Sequence, residues 1–158
     1  MEKIVWKFTN KRELTEKEFI RYFEKKVKST IRKYHMPVGV LKKQTLKAKV
    51  LNFILQNLQV RKGKIGDENL NSVTNKIIYV LMHGNEKNLK KLMPKNQPLY
   101  FLSNKEIELY AEIKKIKGKS PAEKGKGKLK EIDDFLSRIE EKNQDIRQNI
   151  VQALINAG

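Results

Sequence analysis

Residues 15–34, TEKEFIRYFEKKVKSTIRKY, constrain this chain more than any other stretch, because they describe one helix with two incompatible faces. Phe19, Ile20, Phe23, Val27, Ile31 and Tyr34 recur at three- and four-residue spacing and gather on one side. Arg21, Lys25, Lys28 and Arg32 recur at the same spacing on the opposite side. The first face requires a core to bury it, and the second must stay in water or meet an anion. The helix start is explicit too: Thr15 and Glu18 form a capping box, and Leu14 and Phe19 occupy the two positions of a hydrophobic staple.

The rest of the chain reads as mainly α, a single domain over 1–158 with five or more helices and at most a small β element near the N-terminus. KIVWKF (3–8) is β-branched and aromatic and reads as an edge strand or extended lead-in, with Trp6 as a packing anchor for the first helix or a stacking platform for a base. Pro37 ends the first helix. VGVL (38–41) is strand-like but brief. Helical periodicity returns over 44–58, and RKGKIGDEN (61–69) reads as a mobile loop. Ser72 is expected to cap a third helix that Gly84 closes, and a short helix follows with Leu89, Leu92 and Met93. KNQPLYFL (95–102) is expected to cross in extended form because of Pro98. Ser103 and Glu106, with Leu102 and Ile107, repeat the start signal of the first helix. Residues 114–130, KKIKGKSPAEKGKGKLK, read as a flexible lysine-rich loop. Two amphipathic helices end the chain, the first through Leu129, Ile132, Phe135, Leu136 and Ile139, the second through Ile146, Ile150, Val151 and Leu154. Asp133 and Asp134 read as a solvated acidic face.

Charge decides the class of partner. Lys and Arg number 35 against 18 Asp and Glu, a formal charge of +17, which opposes compaction unless an anionic partner offsets it. Nucleic acid is the first expectation, and a merely solubilising lysine-rich surface is the plain alternative. With no cysteine, disulfides, thiolate metal sites and cysteine nucleophiles are excluded. No apolar run reaches the roughly 18 residues of a membrane span, so a cytoplasmic protein without a membrane partner is expected. His35 and His83 stand apart from any triad or metal-site spacing, and neither GxxxxGK[ST] nor GxGxxG occurs. No catalytic residue, metal or cofactor is therefore assigned.

Three stretches resemble the tRNA 2-thiouridine synthetases of the PP-loop (N-type ATP pyrophosphatase) group: LTEKEFIRYFEKKVKSTIRKYHM, NKIIYVLMHGNEKNLKKL, and QPLYFLSNKEIELYAEIKKIK followed by DDFLSRIEEKNQDIRQNIV. The resemblance covers more than half of the chain. It implies a site where family enzymes bind ATP through Ser-Gly-Gly-Lys-Asp-Ser, but the matching place here is Leu41, Lys42, Lys43, Gln44, Thr45 and Leu46. The family's later Asp-Asp pair falls at Asn71 and Ser72, and its finger ligands fall at Thr15, Glu18 and near Ser120. Between 58 and 66 the chain is too short to complete a nucleotide-binding sheet. Taken with these departures, the resemblance implies a shortened relative without ATP, zinc, iron–sulfur cluster or catalysis.

The expected function is therefore a non-enzymatic, basic RNA-binding protein, with tRNA as the favoured RNA. Its phosphate contacts are assigned to Arg21, Lys25, Lys28, Arg32, Lys42, Lys43, Lys117, Lys119, Lys124, Lys126 and Lys128. The alternative is a protein-interaction partner or regulator of an active tRNA-modifying relative, docking or self-associating through helix faces in 144–157.

Overall fold

Leu14 is buried at the point where a short hairpin hands the chain to its longest helix. A computed structural model describes residues 2–58, 60–123 and 125–158. Strand β1 (Ile4–Lys7) pairs antiparallel with β2 (Glu13–Thr15), opposing Trp6 to Leu14, and an irregularity between Ile4 and Trp6 shifts the register. Helix α1 (Glu16–Lys33) starts on the expected capping box: the Glu18 N–H donates to Thr15 Oγ1 at 3.4 Å, and the Thr15 N–H donates to Glu18 Oε1 at 3.0 Å. Trp6 packs on α1 with its ring 5.6 Å from Phe19, as a packing anchor does.

Helices α2 (Leu46–Leu55), α3 (Leu70–Met82), α4 (Asn104–Lys114), α5 (Lys128–Glu140) and α6 (Ile146–Ala157) follow, with a 3-10 helix over Glu86–Leu92. The chain is thus mainly helical, and the hairpin is the one sheet among the described residues. One apolar cluster joins α1, α2 and α4 through Phe19, Phe23, Val27, Leu51, Ile107 and Tyr110. A second joins α3 and α6 through Leu70, Val73, Ile77, Tyr100 and Val151. Among the described residues, no helix is long and apolar enough to cross a membrane.

Local chemistry moves several boundaries. Asn69, not Ser72, caps α3, because Ser72 sits three residues on and completes a reciprocal box: the Ser72 N–H reaches Asn69 Oδ1 at 3.3 Å and the Asn69 N–H reaches Ser72 Oγ at 2.9 Å. Gly84 closes α3 at φ +66°, in the left-handed region where glycine carries no Cβ strain. Residues 97–102 are wound into turns instead of extended, with Tyr100 N–H on Gln97 O (3.1 Å) and Leu102 N–H on Leu99 O (3.0 Å). Pro98 occupies the second turn position, where its fixed φ is suited. Loop 61–69 is tied down by backbone bonds from Val38 to Arg61 (2.9 Å) and from Gly66 to Asn96 (2.8 Å). The lysine-rich stretch has helical ends, since Lys114 closes α4 and Lys128 opens α5.

Candidate nucleic-acid interface

Burial of Phe19, Phe23, Val27 and Ile31 forces the other side of α1 outward. Arg21, Lys25, Lys28 and Arg32 all lie exposed there, along about 16 Å of helix at 1.5 Å per residue. They line an open cleft of about 430 Å³ together with Glu24 and Ser29. A second cleft of about 470 Å³ shares Lys28 and Arg32 with the first and continues over Ile31, Met36, Leu58 and Val60 to His35 and Arg61. The shared side chains make the two clefts one surface.

The bend that builds the second cleft is local. His35 takes φ +52°, and the Met36 N–H folds back onto Ile31 O at 2.9 Å, closing α1 with a left-handed residue and burying Met36. Arg61 is carried in by a parallel bridge: the Val38 N–H donates to Arg61 O, and the Gly63 N–H donates to Val38 O, each at 2.9 Å. A Cβ on Gly39 would lie 2.3 Å from Gly63 O, so a side chain there would push the bridge apart. One Arg61 guanidinium nitrogen donates to His35 O at 3.4 Å. Sequence reading missed Arg61 and His35, because a long-range bridge and a helix end, not periodicity, bring them to the row.

Among the described residues, none of Arg21, Lys25, Lys28, Arg32 and Arg61 has a carboxylate within ion-pair distance. The acidic residue of the first cleft, Glu24, instead accepts from the buried Tyr110 hydroxyl at 2.5 Å. Five cations thus share this surface with one carboxylate, and its net charge is positive.

The remaining expected cations divide. Lys42, Lys43, Lys117 and Lys119 form a second group around the start of α2, since the Leu46 N–H donates to Lys119 O at 2.9 Å and the Lys119 N–H to Gln44 O at 3.3 Å. Lys43 is partly neutralised by Asp67 at 3.3 Å. Lys126 and Lys128 are exposed near the start of α5, where Lys128 pairs with Glu131 at 3.5 Å. Lys124 lies outside the described residues.

The start of α2 is also where the expected resemblance would put a phosphate-binding loop. Two of its free N–H groups are met by the chain itself: Ala48 donates to Thr45 Oγ1 at 3.2 Å and Leu46 to Lys119 O. Asp67 lies against the cap, accepting from Thr45 Oγ1 at 3.5 Å. Gly118 packs so closely that a Cβ on it would lie 2.9 Å from Leu46 N. Lys47, half-buried beside this cap, has its pKa lowered by burial against the opposing pull of Asp67 and Glu68. Among the described residues, no cluster of three or more His, Cys, Asp or Glu could hold a metal. His83 lies away from these clefts at the end of α3, stacked 4.1 Å from Tyr79.

The expectation for Asp133 is also overturned. Asp133 is not on a solvated face: it is 8% exposed, and it accepts from Arg147, which is 0% exposed, at 3.0 Å and from Asn75 Nδ2 at 3.0 Å. Arg147 also donates to Glu140 at 2.7 Å and Thr74 at 2.6 Å, so its guanidinium joins α3, α5 and α6. Asp134 remains exposed and pairs with Lys130 at 2.9 Å.

Comparison with protein-family models found no match, and comparison with curated proteins found no significant match. Among solved structures, the chain is similar to the U34-tRNA thiolase NcsA from Methanococcus maripaludis, determined with its [4Fe-4S] cluster, at a TM-score of 0.72 and 14% identity. The likeness spans 98% of this chain and 84% of that one. At that identity the likeness is one of fold.

Proposed function

We propose that this protein is a non-enzymatic RNA-binding module whose favoured ligand is tRNA. The observation that carries the reading is the α1 row: Arg21, Lys25, Lys28 and Arg32, joined by Arg61, share one surface without carboxylate partners among the described residues. Cations so arranged neutralise successive phosphates and release their counterions, which gives affinity and orientation without sequence choice. The fold likeness to an enzyme named for acting on tRNA supports tRNA over other polyanions. Loss of nucleotide chemistry is supported by the start of α2, where Thr45, Asp67 and the Lys119 carbonyl stand in the place the resemblance gives to a phosphate loop.

Absorbance of the purified protein at 260 and 280 nm, at low and then high salt, tests the reading. Co-purifying RNA that salt removes is the expected result, and protein free of nucleic acid at low salt, with no affinity for added tRNA, contradicts it.

A second reading, a docking partner of another protein, is favoured by Met82 at 61% exposure, Leu81 at 54% and Phe135 at 52%. These lie on α3 and α5 instead of 144–157, where Val151 is buried and Ile150 and Leu154 pack on the second cluster. A partner that survives nuclease treatment in a pull-down would support this reading.

A further inference from the structure

We propose that the cleft at the C-terminal end of α1 receives an unstacked nucleobase from a single-stranded stretch of RNA, while the α1 cations follow the adjoining phosphates. This rests on the RNA-binding reading and narrows it to unpaired RNA. The floor is the reason. Beside its cations and His35, the cleft is lined by Ile31, Met36, Leu58 and Val60. Ile31, Met36 and Leu58 are held there by the first core, and Val60, 42% exposed, is the apolar group that the cleft leaves open to solvent, where a base displaced from its stack could bury a face.

Charge and shape agree with this occupant. The end of a helix carries partial negative charge, which disfavours a phosphate seated directly on it but not a neutral base. The phosphates on either side of that base would meet Lys28, Arg32 and Arg61, which rim the floor. The His35 imidazole and the two guanidinium groups supply the planar partners on which unpaired bases stack. A volume of about 470 Å³ falls within the roughly 300–1,000 Å³ of small-ligand clefts. A duplex, with its bases stacked inside, would lay sugar and phosphate across the cleft and leave the floor unfilled.

The test compares three fluorescent probes by anisotropy at one salt concentration, using the full chain: a short oligouridylate, the same length of abasic ribose phosphate, and an RNA duplex. Oligouridylate is expected to bind about tenfold more tightly than the abasic strand, the size of one base-stacking contact, and also more tightly than the duplex. Val60→Ser, at an exposed position that adds no charge, should reduce the preference for oligouridylate over the abasic strand several-fold. Equal binding of all three probes overturns the cleft assignment while leaving the RNA-binding reading intact. Binding of none of them overturns both. A nuclease-resistant protein partner lost on Val60→Ser would place a peptide in the cleft and overturn the assignment as well.

Discussion

The Tyr110 hydroxyl of α4 donates to a Glu24 carboxylate oxygen of α1 at 2.5 Å. That bond links two helices of the first core, and it also engages the acidic side chain on the basic cleft. Tyr110→Phe leaves the ring stacked on Phe23 but releases Glu24 toward the cations around it. The expected outcome is a stability loss of about 1 kcal/mol in urea unfolding and RNA binding weaker by about two- to fivefold. Unchanged affinity would mean that Glu24 does not govern the charge of the cleft.

The same bond sets an alkaline limit. Burial raises the pKa of Tyr110, with the Glu24 bond adding to it, and burial beside Glu106 raises that of Tyr22. Burial raises Tyr100 as well, whose hydroxyl donates to Leu92 O at 2.7 Å. These groups keep their protons in the native state at pH values where the unfolded chain loses them. Their contribution is therefore complete below the ordinary tyrosine pKa of about 10 and declines as pH rises above it. Denaturant midpoints measured from pH 8 to 11 should hold and then fall, and the Tyr110→Phe variant should fall less.

Adjacent carboxylates on α5 should behave oppositely. Asp133→Ala takes one of two carboxylate partners from the fully buried Arg147, which keeps Glu140, and is expected to cost about 1.5–3 kcal/mol. Asp134→Ala removes an exposed pair with Lys130 and should cost less than about 1 kcal/mol. Equal costs in chemical denaturation would show that Arg147 finds other partners.

What the sequence made legible was local. The starts of α1 and α4 could be read because Thr15 with Glu18, and Ser103 with Glu106, complete their bonds within four residues. The α1 cation row could be read because one helical period separates it from Phe19, Phe23, Val27 and Ile31. Contacts closed over long range could not be read. Asp133 looks like Asp134 until Arg147, on another helix, reaches it, and Arg61 joins the cleft only through the bridge to Val38. Strand β2 escaped notice because its three residues, Glu13–Thr15, read equally well as the approach to a helix cap. Lys43 counted as a free cation until the fold brought Asp67 to it.

At the start of α2, the chain's own groups occupy the Leu46 and Ala48 N–H donors, and Asp67 adds negative charge. ATP with magnesium is therefore expected to leave the melting temperature unchanged in a thermal-shift assay. A clear upward shift would establish nucleotide binding and restore an enzymatic reading.

The salt dependence of RNA binding tests the central claim most directly. If Arg21, Lys25, Lys28, Arg32 and Arg61 meet about five phosphates of a single strand, the logarithm of the association constant should fall against the logarithm of salt concentration with a slope near −3.5. Changing Arg21, Lys25, Lys28 and Arg32 to Ala should bring that slope to about −0.7. A slope near zero for the unaltered chain, or one that the four substitutions leave as it was, would contradict the account.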